Sequence, residues 1–269
     1  MSLLYDMHVH SQSSHDSVAK VYDIAKFCIE NGIKAFAITD HCDIQYYNPL
    51  IVESSINETK EAKKEFGDRV KILKGIEIGE VIWEKSCAEE ILNKYDYDVV
   101  VSSVHAVRYK RYTEPYSTID FSKMTEKELF EYLKTYFDEV LLMVSETNCD
   151  VMAHLTCPLR YIVGKYNLNV DMKKYELQID KILDYVIKNG ISMEINTSGI
   201  DTPFDSFMPD RWIIEKFVNK GGKLVTLGSD AHSPNNVAKG FEKAEELLKS
   251  LGLTGYYYYE NRKPIFVEF

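Results

Sequence analysis

The chain has 269 residues, 45% of them hydrophobic and 28% charged, which is enough to bury a sizeable core in one large α/β domain or two small ones. A formal net charge of −10 argues against general nucleic-acid binding, which needs a basic face, but permits an anionic substrate wherever bound cations reverse the local field. Five cysteines (Cys28, Cys42, Cys87, Cys149 and Cys157), with no Cys-x-x-Cys pair, argue against a disulfide framework or a thiolate zinc site, and the lack of a basic leader or a long apolar run leads to the expectation of a cytoplasmic protein with no membrane partner.

Short apolar runs alternate with amphipathic ones from end to end. A strand is expected over 3–8, then a helix over 18–31 whose Val21, Ile24, Ala25 and Cys28 share a face. Strand 35–39, helix 51–66, strand 70–78, helix 86–93 and strand 98–104 follow. A polar, aromatic loop over 106–116 precedes a helix over 125–148, whose opening Thr125-Glu126-Lys127-Glu128 reads as a capping box. Strand 150–154, helix 172–188, strand 191–195, helix 210–219, strand 223–227 and helix 236–249 complete the series. Asn31-Gly32 and Asn189-Gly190 are helix stops. The tail, 255–269, holds two β-prone pieces around Glu260-Asn261-Arg262 and is expected to form a hairpin, with Tyr256–Tyr259 packing as strand. Seven strand–helix units in a row predict a parallel barrel, in one domain spanning 1–269.

Polar residues cluster where these strands end. His8 and His10 follow the first strand, with His15 beyond; Asp40 and His41 follow the second; Glu77 lies near the end of the third. His105 follows the fourth, His154 ends the fifth, Asn196 follows the sixth, and Asp230 and His232 follow the seventh. In a parallel barrel all these ends meet on one face, where barrel enzymes build their sites. His8-Val9-His10 and Asp230-Ala231-His232 are i, i+2 pairs, which in extended chain point to the same side and can reach one ion. Imidazole and carboxylate donors without cysteine suit a catalytic zinc, manganese or iron site rather than a structural zinc.

His8-Val9-His10-Ser11, Thr39-Asp40-His41, Gly75-Ile76-Glu77, Ser103-Val104-His105, His154 and Gly228-Ser229-Asp230-Ala231-His232 together resemble the motifs of the PHP (polymerase and histidinol phosphatase) family along nearly the whole chain. Glu194-Ile195-Asn196-Thr197-Ser198-Gly199, together with Asp230-Ala231-His232-Ser233-Pro234, is similar to the monofunctional L-histidinol-phosphate phosphatase branch. The resemblance implies a distorted (β/α)7 TIM-like barrel with its active site at the C-terminal strand ends, holding three divalent ions of zinc, iron or manganese. One ion would take His8, His10, Glu77 and Asp230; a second Glu77, His105 and His154; the third His15, His41 and His232, with Asp16 as the alternative to His15. It also implies hydrolysis of L-histidinol phosphate to L-histidinol and phosphate, a step of histidine biosynthesis, by attack of a metal-bridging hydroxide on phosphorus.

Beside this ligand set, Arg160 is the first candidate for a bidentate phosphate clamp and Arg108 the second. Asp230 or His232 would relay a proton to the leaving group, and Asp40 would orient the His41 imidazole or cap a helix. The ammonium and imidazole of histidinol would favour Glu114, Tyr116 and Tyr161, with Asn196 and Ser198 as hydrogen-bond donors. Two loops depart from the family pattern: Ala106-Val107-Arg108-Tyr109 lacks an aromatic directly after His105, and Thr156 stands where many relatives have Asp. Competing readings keep the site but change the ester (a nucleotidase, phosphodiesterase or exonuclease), remove the chemistry (a metal-binding module), or change the class (an amidohydrolase). The last usually carries a lysine at a strand end, and none is so placed here.

Overall fold

A computed structural model describes residues 4–269; Leu3 of the expected first strand lies outside the described residues. The strands in chain order are β1 (Tyr5–Val9), β2 (Ala35–Ile38), β3 (His41–Asp43), β4 (Lys71–Gly79), β5 (Val99–Ser103), β6 (Val151–Met152), β7 (Ser192–Asn196) and β8 (Val225–Gly228), all joined by parallel pairings in the order β1-β2-β4-β5-β6-β7-β8. β2 and β3 lie end to end against the same long partner, β4, with Thr39 and Asp40 between them. The seam between β1 and β8 is bridged at its upper end, where the Asp230 N–H donates to the His8 carbonyl at 2.8 Å and the His10 N–H to the Ala231 carbonyl at 2.9 Å. The result is the expected, nearly closed barrel of seven parallel strands.

Helices α1 (Val21–Glu30), α2 (Pro49–Phe66), α3 (Lys85–Lys94), α4 (Glu126–Glu146), α5 (Glu176–Asn189), α6 (Arg211–Asn219) and α7 (Phe241–Ser250) surround the sheet. Strands covered on both faces carry aliphatic runs, as in Val99-Val100-Val101, broken by buried polar groups such as Asp6, Ser102 and Glu194. On β2 the alternation divides the core: Phe36 and Ile38 pack outward with Val21, Ile24 and Cys28 of α1, while Ala35 and Ala37 join the main core. The capping box at Thr125 is present, and Gly190 ends α5 at φ +68°.

Several boundaries differ from expectation for local reasons. The strand expected over 150–154 shortens to two residues because the His154 N–H leaves the ladder for the Glu194 carboxylate, 2.7 Å away. α7 starts five residues late, after a short 3-10 turn, because Ala238 and Gly240 take positive φ. A π-helical turn at Arg160–Lys165 was not expected.

The tail forms the antiparallel hairpin β9 (Gly255–Glu260) and β10 (Lys263–Glu268). Its turn residues Asn261 and Arg262 both have positive φ, the type I′ geometry of a two-residue hairpin loop. The hairpin covers the barrel's N-terminal end. Arg262 pairs with Asp150, the Asn261 N–H donates to Asp98 at 3.1 Å, and the Tyr259 hydroxyl meets Ser192 at 2.8 Å. Tyr256 and Tyr259 are buried, as expected of packing residues. Closing the floor in this way leaves the opposite end as the open face. Among the described residues, no helix is long and apolar enough to cross a membrane.

Candidate metal centre and substrate cavity

Glu77 is the hub of that open face. It sits on β4 in register with His41 of β3 and is fully buried. Its Oε1 lies 2.9 Å from His154 Nε2 and 3.2 Å from His105 Nε2; its Oε2 lies 2.8 Å from His41 Nδ1, 3.4 Å from His8 Nε2 and 3.7 Å from His10 Nε2. Asp230 stands alongside, with Oδ1 3.1 Å from His10 Nε2 and 3.9 Å from His8 Nε2. Its backbone is left-handed, at φ +52°, a strained conformation that aims the carboxylate back over β1. The His232 ring stacks on His10 with centroids 4.2 Å apart.

Four of these imidazoles are oriented from behind. His8 Nδ1 is 2.6 Å from Glu194 Oε1, His105 Nδ1 is 2.9 Å from Asp43 Oδ1, and His232 Nδ1 is 2.9 Å from the Asp230 carbonyl. His10 Nδ1 is 2.9 Å from the Ser14 hydroxyl, whose own proton goes to Asp40 at 2.7 Å, so His10 must donate. In each case the Nε2 lone pair is left facing the shared centre, as metal-ligating histidines require. Asp43 and Glu194 each need a neighbouring glycine: a Cβ on Gly79 would collide with the Asp43 carboxylate, and one on Gly228 with Glu194.

The residues fit divalent cations on their own chemistry. Despite their short contacts, His8 Nε2, His10 Nε2, His41 Nδ1, His232 Nε2 and Glu77 Oε2 are buried and make no properly directed hydrogen bond, which is costly unless something else binds them. They fall into overlapping groups whose ligand atoms lie within 4.8 Å of one another: His8, His10 and Asp230; His8, Glu77 and His154; His41, Glu77 and His105; His10, His41 and His232. All are nitrogen and oxygen donors of the kind that zinc, manganese and iron accept.

The electrostatics agree. Burial pushes the Glu77 carboxyl upward, but the imidazoles of His105, His8 and His41 outweigh it and hold the group well below its ordinary value. Burial likewise opposes ionisation of Asp230, and His8 and His10 overcome it. His10 is pushed down to about 4 by burial and by the neighbouring His41. Burial also disfavours the His41 cation, yet Glu77 and Asp16 raise it to about 10. His8, His105 and His232 are raised as well, against burial, by neighbouring carboxylates, so in the metal-free chain imidazolium groups supply the positive charge that divalent ions would supply when bound, while His10 stays neutral.

Above this centre opens a cavity of about 760 Å3, lined among others by Tyr116, Arg160, Tyr161, Ser198, Asp230 and His232. Arg160 opens the π-helical turn, half-buried, with Nη1 3.2 Å from the Ser198 hydroxyl. His15 and Asp16 both line the rim, but the Asp16 carboxylate is the one that reaches between His232 Nε2 at 3.2 Å and His41 Nε2 at 3.6 Å. His15 is exposed, its ring 5.4 Å from that of His41.

Other candidates fall elsewhere. Asp40 touches no imidazole: its carboxylate accepts from the Ser11, Ser14 and Ser55 hydroxyls and from the Ser11 N–H, so it neither caps a helix nor orients His41. Its carboxylate reaches the site through Ser14, and its backbone carbonyl accepts the Glu77 N–H at 3.1 Å. Arg108 is exposed and stacks on Trp83, its guanidinium 4.4 Å from the ring centroid, away from the cavity. Glu114 is exposed, does not line the cavity, and accepts from the Thr113 N–H. Asn196 is buried, braced between Glu194 at 3.2 Å and Asp230 at 3.4 Å, and does not reach the cavity.

Asp43 and Glu80 were not singled out from the sequence, and Glu194 was noted only as part of a motif, with no role in the site. Glu80 accepts the N–H groups of His105 and Ala106 at 2.5 and 2.8 Å. The signal for the other two was available: His41-Cys42-Asp43 and Glu194-Ile195-Asn196 repeat the i, i+2 spacing of His8-Val9-His10, and Glu194 is a charge inside an apolar strand.

The PHP-domain family model matches residues 6–198. A probable histidinol-phosphatase of Thermotoga maritima is 30% identical over 246 residues, covering 91% of each chain. The histidinol-phosphatase of Lactococcus lactis subsp. lactis is 28% identical over 256 residues, 92% of this chain and 91% of that one. The crystal structure of histidinol phosphate phosphatase from L. lactis, complexed with zinc, L-histidinol and phosphate, superposes with a TM-score of 0.80 at 24% identity, covering 97% of this chain and 98% of that one, and shows the shared fold. The family match runs from β1 through the Ser198 loop, across most of the site just described, and the chain belongs to the PHP family.

Proposed function

We propose that the protein is a divalent-metal-dependent phosphomonoesterase that hydrolyses L-histidinol phosphate to L-histidinol and phosphate, acting as a single barrel domain over 1–269 in the cytoplasm. The observation that carries the reading is the convergence of six imidazoles on the buried Glu77 and the half-buried Asp230 beneath a cavity walled by Arg160. The histidinol-phosphatase relatives, and the zinc, L-histidinol and phosphate bound in the Lactococcus protein, support the choice of substrate.

Three ions of zinc, iron or manganese would be held by His8, His10, Glu77 and Asp230; by Glu77, His105 and His154; and by His41 and His232 with Asp16 or His15. Bound there, such ions supply Lewis acidity to phosphoryl oxygens and lower the pKa of water toward ~7. The chain's own groups do the rest. Arg160 meets the phosphate with a forked donor that Ser198 steadies. Asp230 and His232, which line the cavity, would hold or pass a proton at the leaving oxygen. Tyr116 and Tyr161, in the same wall, offer aromatic faces to the imidazole of histidinol. The anionic chain disfavours long nucleic acids.

The test is phosphate release by purified protein, before and after chelation, from L-histidinol phosphate beside a dinucleotide and an aryl phosphate. Chelator-sensitive release with strong preference for L-histidinol phosphate is expected. Comparable turnover of all three would defeat the assignment.

A further inference from the structure

Arg160 and Lys239 are the two fixed cations that line the cavity among the described residues. We propose that Lys239 is a second phosphate-recognition residue, whose ammonium joins the Arg160 guanidinium on one wall of the site. This deepens the phosphatase reading above and rests on it.

The argument begins with charge. A phosphate monoester carries ~−1.5 to −2 at neutral pH. The cavity that would receive it also carries Asp16, Asp43 and Asp230 in its lining. The Lys239 ammonium forms no ion pair among the described residues. The nearby Asp201, which feels its charge, is paired instead with Lys243 at 2.7 Å. A solvated lysine at a cavity mouth is ordinary, so its backbone must also be considered.

That backbone is held unusually firmly for a loop. Ala238 and Gly240, on either side, take left-handed φ of +58° and +81°. Ala238 has no glycine freedom, and strain of this kind gathers at ligand sites. Its N–H donates to the buried Asp6 carboxylate at 2.8 Å, and the Lys239 carbonyl accepts from Thr197 Oγ1 at 2.6 Å. Thr197 is followed by Ser198, whose hydroxyl holds Arg160. Both cations thus hang from one strip, Thr197-Ser198, at the end of β7. A Cβ on Gly240 would come within 3.1 Å of the Thr197 Cβ, so the close approach that seats Lys239 depends on that glycine.

The experiment uses zinc-loaded protein and inorganic phosphate as the probe, with affinity measured by calorimetry and steady-state constants measured on L-histidinol phosphate. Lys239→Gln should weaken phosphate binding and raise KM by about tenfold, the range of one charge-assisted hydrogen bond, with kcat changed far less and zinc content unchanged. Lys239→Arg should restore most of the affinity, which a purely structural role would not predict. Lys181→Ala, which removes an exposed charge on α5, should change neither constant. Wild-type phosphate affinity in Lys239→Gln, or no phosphate binding by the parent protein, overturns the proposal. The phosphatase reading fails separately: a parent that binds phosphate through Lys239 but releases none from L-histidinol phosphate would refute that reading and leave the anion site standing.

Discussion

Glu194→Gln tests whether the site is a metal centre, through a residue that touches the shared cluster only by way of others. Both Glu194 oxygens act as acceptors: Oε1 faces His8 Nδ1 at 2.6 Å, and Oε2 takes the His154 N–H at 2.7 Å and the Asn196 amide at 3.2 Å. Glutamine has a single acceptor oxygen. If that oxygen keeps the His154 N–H, the new NH2 faces His8 Nδ1, which must then give up its proton and accept. The proton moves to Nε2, the atom that faces Glu77 and Asp230. His8 would be lost as a ligand although no group facing the centre has been changed. Loss of such an orienting carboxylate costs about 10- to 100-fold in metal affinity, roughly 1.4 to 2.8 kcal/mol. Competition with a chromophoric chelator reads this directly, and the melting midpoint of the metal-free variant separates it from general unfolding. Zinc affinity within twofold of the parent would show that Glu194 does not orient a ligand, and would remove the physical basis for His8 as one.

Three further outcomes follow from the same geometry. In the metal-free protein, His41 has its folded pKa raised to about 10, so its stabilising contribution is complete below ~6.5 and is lost as pH climbs toward 10; Glu77 and Asp230, held low, contribute above ~4 and lose their contribution as pH falls through their depressed values. Zinc needs the unprotonated ligands, so the gap in melting midpoint between zinc-loaded and chelated protein should widen from pH 6.5 to 9.5, and a constant gap would contradict the assignment of His41. Gly228→Ala would push a methyl group into Glu194 and to within 2.8 Å of the His8 Cβ; denaturant melts should show a loss of about 1 to 3 kcal/mol, with weaker zinc binding, and unchanged values would mean the approach is not tight. Arg160→Ala should raise KM for the phosphate ester about tenfold at unchanged zinc content, whereas Arg108→Ala, which removes only a stack on Trp83, should leave kcat/KM within about twofold; equal effects would refute the division between the two arginines.

Strand-borne features of this site were legible in the sequence, and loop-borne ones only in part: Tyr116, Arg160, Tyr161 and Ser198 do line the cavity, whereas Arg108 and Glu114 do not. An apolar run must end where the barrel meets solvent, so a histidine just past such a run is placed on the open face whatever the rest of the chain does. That logic reached His8, Glu77, His105 and His154, and the i, i+2 rule reached His10 and His232. Asp40 shows the same rule from the other side. Adjacent residues in extended chain point to opposite faces, so a neighbour of His41 cannot share its centre, and Asp40 turns instead into the Ser11, Ser14 and Ser55 hydroxyls. The partner two residues from His41 is Asp43, which grips His105. Arg108 and Arg160 both lie a few residues past a strand-end histidine, and distance along the chain could not separate them. The difference arises in three dimensions: the loop after His105 folds back so that Arg108 lies on Trp83, while the chain after His154 winds into a π turn that faces Arg160 into the cavity. Period-two placement is a local property of the backbone and can be read one strand at a time. The course of a loop depends on what it packs against, here an indole 25 residues earlier in the chain.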